Sequence, residues 1–175
     1  MLVLGIDPGT AVTGYGLVER LGDGSLRLVE CGVIRTSPKT PLALRLREIF
    51  EGVSELMQRH APHAVAVEGV FFGKNARSAM VLGHARGAVL LAASLQDRDV
   101  AEYPPAEVKN AIVGSGNATK HQIGFMTQKL LRLREPPRPE DAADGVAVAL
   151  CHCFRGGFGR SLETPLVHTP RGAAR

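Results

Sequence analysis

Residues Met1 to Thr10 read MLVLGIDPGT, an apolar run that ends in a carboxylate, a proline and a glycine. The run LVLGI is the signature of a buried strand. A charged group is costly to take out of water unless something pairs with it, so Asp7 at the mouth of such a strand calls for a partner. The candidates are a metal ion, a basic ligand or solvent.

Outward from this strand, TGYGLVER reads as a second strand and SLRLVECGVIRT as a third, whose alternation suits a half-exposed sheet face. GDG at Gly22 to Gly24 supplies the hairpin turn between them. From Pro41 to His60, Leu42, Leu46, Ile49, Phe50, Val53, Leu56 and Met57 recur at helical spacing. HAVAVEGV is then a short buried strand, Lys74 to Gln96 a long helix, and DVAEY a fifth strand that Pro104 and Pro105 end. The stretch from there through GSGN reads as a loop. A further helix starts after Thr119, whose side chain caps it while Gln122 reaches back. The last starts around Pro139, a residue suited to the first helical position. This order predicts a mixed five-stranded α/β sheet flanked by helices on both faces. The expected boundaries are one domain over residues 1–156 and a flexible tail over 157–175, rich in glycine and proline and without periodicity.

With 175 residues, 45% hydrophobic and 22% charged, the chain fits one globular domain with a sizeable core. No apolar run approaches the ~20 residues of a membrane span, and Asp7-Pro8 interrupts the N-terminal run too early for a secretory leader, so a cytoplasmic location without membrane attachment is expected. The set of three cysteines, Cys31, Cys151 and Cys153, does not make a disulfide framework. CHC at Cys151 to Cys153 lacks the distant second pair of a zinc site. A net charge of +4 is compatible with nucleic-acid binding without requiring it.

Glu68 ends AVAVE as Asp7 ends LVLGI. If the two strands are neighbours, both carboxylates emerge at one sheet edge, where α/β folds place ligand sites. At roughly 5 Å and an effective dielectric of about 20 such a pair repels by about 3 kcal/mol. Asp141 and Asp144, in PEDAADGVAVAL, share one helix face, apart from the apolar stripe of Ala142, Val146, Ala149 and Cys153. Acids in a first helical turn are also favoured by the helix dipole, which alone could account for Asp141. Glu68 has no such support. If the four converge, hard divalent cations bound through oxygen would neutralise them, and Mg²⁺ or Mn²⁺ suits the set better than zinc. Two such ions about 4 Å apart serve in-line attack at phosphorus, that is, phosphodiester hydrolysis. The chain has no GxxxxGK[ST] phosphate loop, HExxH zinc motif or GxSxG elbow.

The segments GIDPGTAVTGYG, VAVEGVFFGKNARSAMVLGHARG, PPAEVKNAIVGSGNATKHQI and EDAADGVAVALCH closely resemble the RuvC family, the crossover junction endodeoxyribonucleases that resolve Holliday junctions. The match runs in order over nearly the whole chain up to Phe154. It implies an RNase H-like fold, a homodimer, a requirement for Mg²⁺ or Mn²⁺, symmetric nicking of opposing strands of a four-way DNA junction, and work alongside the RuvA-RuvB branch-migration complex. Carried across by position, it makes Asp7, Glu68, Asp141 and Asp144 the catalytic metal ligands.

The resemblance also implies DNA-binding roles. Lys120 opens a helix, where its charge opposes the dipole unless phosphate binds there. Lys109, in the loop region before it, matches a second basic position of the family motif. Phe71 and Phe72 follow Glu68, and two successive phenylalanines on a turn cannot easily both point inward. By resemblance Phe71 is the exposed one, set against bases at the junction centre. Lys74, Asn75, Arg77 and Ser78 then lie where they could contact DNA backbone. Gly83, Ala85, Gly87 and Ala88 keep side chains small along the long helix, as a twofold interface or a tight intrachain contact would require. Rival readings are an ATP-binding protein of the actin and sugar-kinase type, for which 175 residues are too few, a non-catalytic junction-binding module, and a relative that cuts structured RNA.

Overall fold

Alternation along the first strand divides its side chains between two cores. The computed structural model describes residues 1–69 and 76–155. Its strands are β1 (Leu2–Asp7), β2 (Val12–Arg20), β3 (Leu26–Arg35), β4 (Ala64–Glu68) and β5 (Asp99–Tyr103). They form one sheet in the order β3-β2-β1-β4-β5. The β1-β2 and β2-β3 pairs are antiparallel, whereas β1-β4 and β4-β5 are parallel. The mixed five-stranded sheet expected from the sequence is therefore present. The tail over 157–175 lies outside the described residues.

The helices are α1 (Leu42–His60), α2 (Ala76–Ser94), α3 (Pro105–Val113), α4 (Lys120–Leu130) and α5 (Glu140–Arg155). Val3 of β1, Val18 of β2 and Ala66 of β4 pack with α3 and α5 on one face of the sheet. Leu4, Ile6, Leu17, Val65 and Val67 pack with α1 and α2 on the other. Strand side chains point to opposite faces in turn, so Asp7, one residue past Ile6, and Glu68, one past Val67, both project to the α5 face.

Helix α5 lies unusually close to the sheet because glycines face it. A Cβ on Gly5 would sit 2.3 Å from the Ala149 amide nitrogen, and one on Gly16 would sit 2.4 Å from Val146 Cγ2. In return, a Cβ on Gly145 would lie 2.5 Å from Tyr15 Cα. Ala142, Val146, Ala149 and Cys153, the apolar stripe expected for this helix, are all buried.

The structure departs from the expected order of elements in one place. Residues Pro105–Val113, expected as loop, form α3, with Pro105 in the first turn and Gly114 closing the helix at φ 77°. A proline that ends a strand is equally able to open a helix, because the amide it lacks has no helical acceptor there. Lys109 therefore stands on a helix. Of the small residues of α2, Ala85 is fully buried in the core, the intrachain contact that its size also allows, whereas Gly83 and Gly87 face open space. The capping box at α4 is as expected: Thr119 Oγ1 accepts from the Gln122 amide at 3.3 Å, and Gln122 Oε1 accepts from the Thr119 amide at 2.8 Å.

Candidate active site

The β1-β4 register pairs Ile6 with Val67, which sets Asp7 and Glu68 side by side at the carboxyl ends of two parallel strands. A side-chain hydrogen bond joins them. Burial, and then the hydrogen bond and negative charge of Asp7, push the Glu68 carboxyl up to about 8. Burial likewise raises Asp7, reinforced by the charges of Asp144 and Asp141. Both carboxyls are raised, and a proton shared between them relieves the repulsion that two adjoining carboxylates would suffer.

Asp141 and Asp144 enter from α5. Asp7 pairs with Gly14 across the β1-β2 ladder, and the missing side chain at Gly14 admits the backbone of Asp141. Lys120 Nζ at the start of α4 donates to Asp144 Oδ2 at 3.2 Å. That contact lifts the Lys120 pKa and partly offsets the rise that burial gives Asp144. The positive charge of Lys109 on α3 lowers the pKa of Glu68 and that of Lys120 lowers Asp7, so both lysines act on the carboxylate cluster. The four acids and two lysines therefore meet at one end of the sheet.

This donor set suits a hard cation. It consists of carboxylate oxygens whose ionised forms are penalised by burial and by each other, so divalent charge would be the strongest available compensation. Among the described residues no three His, Cys, Asp or Glu side chains stand in a ready-made metal cage. Asp7 is engaged with Glu68, and Asp144 with Lys120. Binding a cation would exchange those partners. Cys151 and Cys153 are buried instead in the core, where desolvation pushes their thiols up to about 12 and 11.

The turn after Asp7 is tightly drawn, since a Cβ on Gly9 would lie 2.2 Å from the Val12 carbonyl oxygen. Beside it, Thr10 and Ser78, with Val81 and Leu82 of α2, line a cleft of about 440 Å³. Ser78 is exposed on α2. Phe71, Phe72, Lys74 and Asn75, and the side chain of Arg77, lie outside the described residues. On the other side of Glu68, Gly69 donates its amide to the Tyr103 carbonyl at 2.9 Å, and the Tyr103 hydroxyl bonds to His152 Nδ1 at 2.9 Å. Nothing local in the sequence points to this support of Glu68. No periodicity or motif marks Tyr103 and His152, which are 49 residues apart.

The family model for the crossover junction endodeoxyribonuclease RuvC matches residues 3–152. The chain belongs to the RuvC family. Its similarity to the crossover junction endodeoxyribonuclease RuvC of Halorhodospira halophila is 50% identity over 174 residues, covering 99% of this chain and 98% of that one. The solved structure of Thermus thermophilus RuvC superposes with a TM-score of 0.83 at 41% identity, covering 90% of this chain and 96% of that one. T. thermophilus RuvC in complex with a Holliday junction substrate gives a TM-score of 0.83 at 38% identity, covering 91% and 97%. RuvC enzymes are divalent-metal-dependent nucleases. Among the described residues no helix is long and apolar enough to cross a membrane.

Proposed function

We propose that this chain resolves four-way DNA junctions by paired, symmetric nicks in opposing strands, using Asp7, Glu68, Asp141 and Asp144 to hold two Mg²⁺ or Mn²⁺ ions. The convergence of these carboxylates from two parallel strand ends and the first two turns of α5 carries the reading. When bound, the ions supply activation of water and stabilisation of the leaving oxygen in hydrolysis at phosphorus. The chain's own part is to hold the ligands on rigid elements. Lys120 and Lys109 place positive charge where the scissile phosphate would lie, and Phe71, with Phe72, Lys74, Asn75, Arg77 and Ser78, engages the junction centre and the adjoining backbone.

Two coordinated nicks need two sites, and α2 supplies a surface for a second copy. Met80, Gly83, Gly87 and Leu91 follow one another at helical spacing along α2, with Leu95 just past its end, and Met80, Leu91 and Leu95 are exposed by 66%, 53% and 66%. Beside them a groove of about 390 Å³ is lined by Leu46, Phe50, His84 and Ala88. An apolar stripe of this extent fits a twofold homodimer contact. Family membership supports the RuvA-RuvB branch-migration complex as a partner and the cytoplasm as the location.

The test is cleavage of a labelled synthetic four-way junction against duplex DNA of the same sequence, with and without Mg²⁺ or Mn²⁺. Paired nicks are expected on the junction, with metal, and not from Asp7→Asn. Tight binding without cleavage under any metal would make this a binding module.

A further inference from the structure

The turn that follows Asp7 is held by more than the strand ladder. The fully buried Thr13 donates its hydroxyl to the Gly9 carbonyl at 2.8 Å, while the Gly9 amide donates to Thr13 Oγ1 at 3.3 Å. At the next corner, the Thr10 carbonyl accepts from two side chains, the hydroxyl of Thr36 just past β3 and the guanidinium of Arg45 on the first turn of α1. Arg45 Nε also donates to Thr36 Oγ1 at 2.9 Å, and the Thr36 amide donates to the Ala11 carbonyl at 3.0 Å. Two segments later in the sequence, the end of β3 and the start of α1, thus close on residues 9 to 13.

Arginine is needed for this arrangement. Its fork presents two donors in a fixed plane, one for the carbonyl and one for the hydroxyl, which itself donates a hydrogen bond to the same carbonyl. Arg45 is half-buried, and among the described residues no carboxylate forms an ion pair with it. A partly desolvated cation held by neutral acceptors is costly unless those hydrogen bonds are made, so the network is mutually dependent.

We propose that Arg45 is a positioning residue for junction cleavage. It fixes the Thr10 corner and, through residues 8 and 9, the direction in which β1 presents Asp7 to Glu68. The same corner forms the wall that Thr10 lends to the cleft shared with Ser78, Val81 and Leu82. This rests on the reading of Asp7 as a metal ligand. A ligand misplaced by about 1 Å can cost on the order of 100-fold in rate while leaving substrate contacts alone.

Full-length Arg45→Ala, Arg45→Lys, Thr36→Val and Asp7→Asn are compared in three measurements: hydrogen exchange at the Gly9 and Thr36 amides, kcat and KM for junction cleavage in Mn²⁺, and junction Kd in chelator. For Arg45→Ala the expected result is faster exchange at both amides and a kcat lower by about 10-fold to 100-fold, with KM and Kd within about twofold. Arg45→Lys recovers part of kcat, and Thr36→Val moves the same quantities the same way, which keeps the test intact if Arg45→Ala fails to fold. Unchanged exchange and kcat in Arg45→Ala and Thr36→Val would overturn the proposal. So would a loss confined to KM and Kd, which would make Arg45 a DNA contact. An active Asp7→Asn would sink the ligand assignment and the proposal with it, whereas an inactive Asp7→Asn beside fully active Arg45→Ala and Thr36→Val would overturn the clamp alone.

Discussion

A Cβ on Gly14 would lie 1.8 Å from the carbonyl oxygen of Asp141. The obstructing atom is backbone of the helix that carries two of the four acids, so no rotamer change relieves the clash. Gly14→Ala should therefore push the start of α5 off the sheet and cost about 1–3 kcal/mol. A lowered melting temperature together with a cleavage loss larger than the unfolded fraction explains is the expected outcome. A fully active variant with an unchanged melting curve would show that α5 can shift without harm to the site.

Glu68 sets a pH dependence of stability. Its carboxyl is raised from 4.5 to about 8. Between these values the folded chain holds a proton that the unfolded chain has released, so stability is full below the unfolded value and falls as pH climbs towards the folded one. Asp7 and Asp144, raised in the same direction, add to the slope at its acid end. In chelator, melting temperature should drop from pH 5 to pH 8.5, and Glu68→Gln should flatten the drop, leaving the variant the more stable at pH 8.5 by on the order of 1 kcal/mol. Parallel pH curves for the two proteins would contradict this.

The strand-end acids were legible in the sequence because alternation is a local rule: Ile6 and Val67 face one core, so their successors face the other. Asp141 and Asp144 were legible because three-residue spacing fixes a helix face. The role of Gly14 was not, since its opposing atom lies in a helix some 127 residues away, and one sequence does not mark which turn glycine a helix will press against. Helix α3 was hidden because Pro104 and Pro105 stop a strand and start a helix with the same chemistry. Nothing local in the sequence marks Arg45, whose partners Thr10 and Thr36 lie 35 and 9 residues away.

Lys120 is exposed over 65% of its side chain, so its ion pair with Asp144 contributes little to stability. Lys120→Ala should shift the melting temperature by no more than about 2 °C, in keeping with an exposed pair worth under about 1 kcal/mol. Cleavage should nonetheless fall by about 100-fold or more if the ammonium acts on the developing phosphate charge. Loss of fold, or wild-type cleavage, would each place Lys120 outside the chemistry.

Phe71 should act in binding through stacking. A base stacked on an aromatic ring is worth about 1–3 kcal/mol, so Phe71→Ala should raise the junction Kd by about fivefold to 150-fold and leave duplex binding nearly unchanged. Fluorescence of 2-aminopurine at the junction centre should report less unstacking in the variant. An unaltered signal would assign the contact to another side chain.

Asp7→Asn separates catalysis from recognition. Asp7 lies beside Glu68, and the charges of Asp144 and Asp141 raise its pKa further, so its ionised form is disfavoured in chelator. Removing that charge relieves the cluster and also reduces its repulsion for DNA phosphate. Junction affinity in chelator should therefore be unchanged or tighter, and the melting temperature there should not fall. Cleavage in Mg²⁺ or Mn²⁺ should vanish, because a neutral amide at the centre of the donor set is a poorer ligand for a hard cation than a carboxylate. Weaker binding together with a lower melting temperature would instead make Asp7 a support of the β1 turn, and the ligand set would reduce to Glu68, Asp141 and Asp144.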